Sequence, residues 1–297
     1  MKNENLQDKI LLFFFYSIVT IFSLICLAPL YIALVSSLSS ETSLLKDGYG
    51  LLINDFSLTA YKLIFSGTNT VLNAYAVTTF TTVMGVFLTL ILTSSFSYPL
   101  AVTTLKYRNT ISLVAYITMI FSGGLVPSYI LTTQFLHLHN NLLVLIIPGS
   151  LSAGNVFFMK NYFKSIPKAL SESAKIDGAS EIYIYFKIIL PLAKPILATI
   201  ALFASMQYWN SWYNVLLYID DRNLYTLQYL IMQLQQQVDF LTSNLNPHAL
   251  ASMGSMVVPA IGIRLATAMV SIGPIIILYP FLQKHFIKGL TIGAVKG

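Results

Sequence analysis

Charge is what this sequence lacks. Only 9% of its 297 residues are Asp, Glu, Lys or Arg, whereas a soluble domain carries about 25% to keep its surface solvated. With 56% hydrophobic residues and a mean hydropathy of +0.73, the chain cannot coat a water-facing globule. That excludes a soluble enzyme, a disordered chain and a nucleic-acid-binding domain. Cysteine is nearly absent too: Cys26 stands alone in an apolar run, which excludes an intrachain disulfide and any multi-cysteine metal centre. The cations exceed the carboxylates, 17 to 11. In a chain this apolar, that excess is a signal of membrane topology and not a nucleic-acid footprint.

What is abundant is hydrophobic sequence in long runs. A helix needs about 20 apolar residues to cross roughly 30 Å of hydrocarbon. Six segments approach or meet that length: about 10–37, 71–100, 111–131, 142–158, 196–219 and 262–281. The expected fold is therefore all-α, with six transmembrane helices. The first run follows Lys2 and Lys9 but is far longer than a signal-peptide core of about 7–15 residues, so it is expected to stay as a span. Placing both termini inside puts 13 of the 17 Lys and Arg on the inner side. The opposite orientation reverses the ratio and breaks the positive-inside rule. Loops at about 39–70 and 220–261 then face outside, and a long polar stretch between the fourth and fifth spans faces inside.

That inner stretch, residues 165–195, reads SIPKALSESAKIDGASEIYIYFKIILPLAKP. Pro167 suits a helix's first turn, Lys168 to Asp177 are mostly good helix formers, and Gly178 can take the left-handed conformation that ends one. Ser180 is a candidate N-cap for a second helix. There Ile182, Phe186, Ile189 and Leu190 form an expected apolar stripe, and Pro191 interrupts the pattern. Small residues gather at the tip beside Glu172 and Asp177. Such a tip allows close approach of another surface, and it equally suits an ordinary solvated loop.

Glu172-Ser173-Ala174, Asp177-Gly178-Ala179, Ile188, Leu190-Pro191 and Pro195 resemble the EAA motif of ATP-binding-cassette importer permeases, with Ser173 where the pattern usually has alanine. The tail, Tyr279-Pro280-Phe281-Leu282-Gln283-Lys284 followed by Lys288-Gly289 and 293–297, is similar to tails in the maltose-like branch assigned to complex oligosaccharides. The resemblance implies a type I importer transmembrane domain over 71–283, preceded by a first helix and loop (1–70) and followed by a tail (284–297). It implies that the 165–195 loop holds a coupling helix docked in a groove of a cytoplasmic ATPase. The implied contacts are Glu172, Ser173, Ala174, Asp177, Gly178, Ala179, Leu190 and Pro191. A second homologous permease, two ATPase subunits carrying ATP and Mg, an extracellular solute-binding protein and a bacterial plasma membrane complete the implied assembly, with an oligosaccharide as substrate.

The remaining signals are read from the residues. The closest approach to a P-loop is Gly149 to Gly154, but Asn155 and Val156 follow where Lys and Ser or Thr are required. ATP hydrolysis is thus expected on another chain, with no cofactor on this one. His137 and His139, at i and i+2, make a poor metal site and are expected at the outer end of the third span. Arg264, near a span's start, is expected to find a partner or to snorkel. Within the fifth span, Gln207, Trp209, Asn210, Trp212, Tyr213 and Asn214 place amides and aromatic faces together. That is the chemistry of a sugar path, and interhelical bonding explains the same residues. The offsets of Gln207, Asn210, Ser211 and Asn214 put them on one face of a continuous helix. Three rivals stay open: an ion-coupled transporter, a permease for a non-sugar solute, and a membrane-embedded enzyme. The spans are almost free of the carboxylates that the first needs, and no catalytic motif such as H-E-x-x-H or G-x-S-x-G supports the last.

Overall fold

The computed structural model describes residues 6–66, 68–102, 105–244, 260–273 and 276. In chain order the α-helices are α1 (Leu6–Ser37), α2 (Glu41–Asp47), α3 (Thr59–Ser66), α4 (Thr68–Ala101), α5 (Arg108–Ile120), α6 (Leu125–Ile130), α7 (Leu143–Ile146) and α8 (Ala153–Ser165). They continue with α9 (Lys168–Ile176), α10 (Glu181–Ile184), α11 (Leu190–Leu192), α12 (Lys194–Trp209), α13 (Tyr213–Tyr218), α14 (Leu227–Asn244) and α15 (Ala260–Gly273). Among the described residues the sole β pairing is one antiparallel bridge, Ser39 to Phe56. The fold is all-α, as the composition requires. The chain forms two compact units: one takes in Met1–Thr68 and Gln233–Gly273, the other Asn69–Met232 and Pro274–Gly297.

In the first unit, the apolar stretch Lys9–Ser37 of α1 is 29 residues long and none of its most apolar window is buried. At about 1.5 Å per residue it exceeds the hydrocarbon thickness, and such a helix belongs in lipid. Beyond it, the Ser40 side chain accepts the Ser43 N–H and caps α2. Glu41 then uses both carboxylate oxygens, Oε1 accepting the Ile261 N–H at 3.0 Å and Oε2 the Gly262 N–H at 2.9 Å. These N–H groups lie in the first turn of α15 and have no partner within the helix, and the carboxylate also meets the helix dipole's positive end. Arg264 has a partner, the Asp239 carboxylate. Of the expected sixth span, the part beyond Gly273 lies outside the described residues apart from position 276, as does the 279–297 tail.

In the second unit α4 supplies the seam. Its buried face carries Thr78, Thr81, Thr89, Thr93, Ser94 and Ser97, short side chains that let helices approach closely and bond across. Thr78 Oγ1 accepts the Leu227 N–H that opens α14, and Ser97 donates to the Val156 carbonyl. Gly85 leaves room for the Tyr208 ring, whose atoms lie 2.5 Å from where a Cβ would stand. Tyr208 in turn donates its hydroxyl to the Ile146 carbonyl at 2.9 Å.

Three expected spans are corrected: none of them is a continuous helix. The third is broken between α5 and α6, which meet at 114°. Gly124 at φ +86° and extended Phe121 turn the chain there. The fourth is interrupted at 147–152, where Pro148 and Gly149 separate α7 from α8. The fifth stops at Trp209 and resumes at Tyr213. A helix of 13 residues spans only about 20 Å, too short to cross alone. By length and composition, two described helices qualify as spans, and four do if each bent pair counts as one.

Candidate functional site

The 165–195 stretch folds as helix, glycine turn, helix. α9 is closed by a Schellman motif: the Ala179 N–H bonds the Ala174 carbonyl at 2.9 Å and the Gly178 N–H bonds the Lys175 carbonyl at 3.1 Å. Gly178 sits at φ +80°, with no atom within 4 Å of where a Cβ would stand. Backbone conformation alone, and not crowding, calls for glycine here. Ser173, the departure from alanine, donates to the Ala169 carbonyl one turn back at 2.8 Å, so its hydroxyl is satisfied within the helix. Ser180 caps the next helix by accepting the Tyr183 N–H.

Ala174 and Ala179 pack on a cluster of Met159, Phe163, Ile184, Ile189, Ala193, Ile196 and Ile200, which anchors the turn to α8 and α12. The apolar stripe expected in the second helix is corrected. Ile184, Tyr185 and Ile189 are buried, while Ile182 and Phe186 are exposed. A π turn over Tyr185–Ile189 adds a residue to the turn and rotates the register. Pro191 lies within α11 instead of breaking it, and the 76° bend comes at Ala193.

Two features of this loop escaped sequence reasoning. The first is a latch: Glu181 pairs with Lys175 of α9 and accepts the Tyr98 hydroxyl of α4 at 3.0 Å. The Lys175 ammonium holds the Glu181 carboxyl below the usual carboxylate range, against a smaller opposing effect of burial. Residues 83 positions apart cannot be paired from one sequence. The second is uncovered apolar surface: Ile176 is 86% exposed at the tip, with Leu170 also exposed. A side chain as apolar as isoleucine at the end of an amphipathic helix was the available signal.

The fifth-span cluster is divided by the break at 210–212. Thr226 donates to the Ser211 carbonyl at 2.7 Å, Asn210 Nδ2 to the Met206 carbonyl at 2.9 Å, and Gln228 Nε2 to Asn210 Oδ1 at 3.3 Å. Interrupted backbone at membrane depth survives only when its polar groups are satisfied by protein or water, and these side chains do that. The single-face argument for Gln207, Asn210, Ser211 and Asn214 does not hold across the break. Gln207, Asn210, Trp212 and Tyr213 are exposed and Asn214 is half-buried. Trp209 is buried, its ring 6.4 Å from that of Tyr75. His139, at the far side of the third segment, pairs with Asp220 at 3.7 Å, and Asn140 Oδ1 accepts the Asp220 and Asp221 N–H groups.

No family model matches the chain. Protein LplC of Bacillus subtilis (strain 168) is 38% identical over 273 residues, covering 92% of this chain and 90% of that protein. The polygalacturonan/rhamnogalacturonan transport system permease protein YtcP of the same strain is 35% identical over 283 residues, 95% of this chain and 96% of that one. The chain belongs to the permeases of ATP-binding-cassette carbohydrate importers. The crystal structure of a bacterial ABC transporter involved in the import of the acidic polysaccharide alginate contains a chain of the same fold, with a TM-score of 0.79 and 28% identity. The match covers 96% of this chain and all of that one. This protein is thus a membrane permease subunit of such an importer.

Proposed function

We propose that this permease imports an oligosaccharide across a bacterial plasma membrane, with six spans, both termini in the cytoplasm and a transport domain at 71–283. It works beside a second homologous permease, two cytoplasmic ATPases that bind ATP and Mg, and an extracellular solute-binding protein. No nucleotide site is assigned to this chain. The sugar assignment is supported by the relatives, a polygalacturonan/rhamnogalacturonan transport system permease and a chain of an alginate importer.

The observation that carries the proposal is the loop, whose backbone is closed on itself while Ile176 at its tip, and Leu170 near the start of α9, are uncovered. That tip is suited to seat in an ATPase groove, with Glu172 and Asp177 available for charge-assisted bonds. When the ATPases close on ATP, the loop is displaced as a unit. The cluster beneath Ala174 and Ala179 carries the motion into α8 and α12, and the Glu181 latch carries it to the end of α4 at Tyr98. The cavity then changes which side it faces. Along it, Gln207, Asn210, Trp212, Tyr213 and Asn214 meet the sugar, and Trp209 supports them from behind.

Reconstitution of the complete importer tests this. Binding protein loaded with oligosaccharide is expected to stimulate ATP hydrolysis and uptake, and Glu172→Lys in this chain to abolish both with assembly intact. Full stimulated activity of the Glu172→Lys complex contradicts the coupling assignment. In a Cys26→Ser background, Ser43→Cys is expected to react with an impermeant thiol reagent on intact cells and Ile176→Cys not to react. The reverse pattern overturns the orientation.

A further inference from the structure

On the side of α9 that faces the bundle lies a cavity of about 520 Å³, bounded by the end of α4, the start of α5, the end of α8 and α9 itself. Its polar lining is lopsided. Arg108, Lys164, Lys168 and Lys175 contribute four cations, and Glu172 the one carboxylate. Lys175 is engaged by Glu181. Among the described residues no carboxylate lies within ion-pair distance of Arg108, Lys164 or Lys168. Three cations from three separate elements thus line one cavity without an ion pair, with Glu172 as its single carboxylate. Their field is felt nearby: the ammonium of Lys160 is pushed down by burial and by the charges of Lys164 and Arg108. Apart from Tyr98 and Ser171 the rest of the wall is apolar, with Val102, Phe163 and Ile189.

Positive-inside bias accounts for cations on this side of the membrane, but not for their gathering around one concave, partly apolar space. We propose that this cavity is a binding site for a phosphate ester. Two sources share that chemistry: the headgroup of an anionic glycerophospholipid of the inner leaflet, or a soluble phosphorylated metabolite. Guanidinium and ammonium groups bond phosphate oxygens, and basic pockets between helices on the cytoplasmic side are where headgroups lodge. Glu172, one turn before Ile176 on α9, lines the site, so a bound ester sets how firmly the loop is held. The inner-side placement rests on the proposed topology; the binding measurement below does not depend on transport or orientation.

The purified, delipidated importer complex is offered phosphatidylglycerol, phosphatidylcholine or glycerol 3-phosphate, and retained ligand is counted by native mass spectrometry. Wild type is expected to retain one of the two phosphate monoanion or dianion ligands selectively over phosphatidylcholine. Preference for phosphatidylglycerol identifies the lipid source, and retention of glycerol 3-phosphate alone the soluble one. Lys168→Gln is expected to weaken retention about fivefold, and Arg108→Gln/Lys164→Gln/Lys168→Gln about a hundredfold. Arg108→Lys is expected to keep most of it. Lys106→Gln/Lys187→Gln/Lys194→Gln removes equal charge from exposed positions outside the cavity and is expected to leave retention unchanged. The proposal is overturned if wild type retains neither ligand selectively, or if the exposed-charge variant loses as much as the cavity variant.

Discussion

The 165–195 loop and the broken fifth segment lie within one unit and solve opposite problems. In the loop, the backbone satisfies itself: the turn after α9 closes through its own N–H and carbonyl groups, and one glycine at φ +80° makes that possible. Ile176 at its tip is left over, apolar and uncovered. In the fifth segment the backbone is what is left over. Between Trp209 and Tyr213 the helix stops, and Thr226 and Gln228 reach in from beyond α13 to hold the break. Under the proposed function, the part that transmits force is locally closed, and the part that meets the solute is interrupted helix whose polar groups are supplied from elsewhere.

The comparison makes Gly178 the most sensitive position. Valine at positive φ is strained by about 1–3 kcal/mol, in a turn with no slack. Gly178→Val is expected to lose nearly all transport-linked ATPase stimulation while inserting normally. Gly178→Asn is expected to retain much of it, since asparagine tolerates the left-handed region. If both fail equally, close approach of a partner and not φ governs the position.

The fifth segment sharpens the contrast from the other side. Thr226→Val leaves the Ser211 carbonyl without its donor, at a cost of about 1–3 kcal/mol. The expected result is a lower unfolding temperature and altered preference among oligosaccharides in uptake assays, with ATPase binding unchanged. Thr226→Ser is expected to restore both. Loss of ATPase binding in Thr226→Val would mean that the two regions are not separable.

Sequence patterning served these regions unequally, for a physical reason. Gly178 acts through its own backbone conformation and Ser180 through a side chain bonded three residues on, so both roles are written locally and were legible; Pro167 stands just outside the expected first turn, as the N-cap of α9. The register shift at Tyr185–Ile189 and the break at 210–212 carry no local marker, and the breaks at 121–124 and 147–152 are marked only by Gly124 and by Pro148-Gly149. Hydropathy windows average over such breaks and report a continuous span. The Tyr98–Glu181–Lys175 latch and the Glu41 cap on α15 join distant segments, and no periodicity announces them. Tyr208 in the niche left by Gly85 is the same case: a glycine in an apolar run signals close approach but not to whom.

The smallest expected effect concerns the latch. Lys175 depresses the Glu181 carboxyl, so the pair's contribution is present above the ordinary carboxylate range and is lost as pH falls through the lowered value. Both side chains are substantially exposed, and screening keeps the effect modest. Thermal unfolding of the complex is expected to show wild type slightly more stable than Glu181→Gln at pH 7. The difference should shrink at acidic pH, and a gap that widens there would contradict the assignment.

The central claim is that the uncovered tip of α9 seats in the ATPase. In a Cys26→Ser background, Ile176→Cys is to be tested for cross-linking to single cysteines placed along the ATPase groove, in native membranes. The account predicts a cross-link from position 176 whose yield changes when ATP is added, and none from Ser43→Cys. Absence of any cross-link from 176, in a complex that still transports, would contradict it.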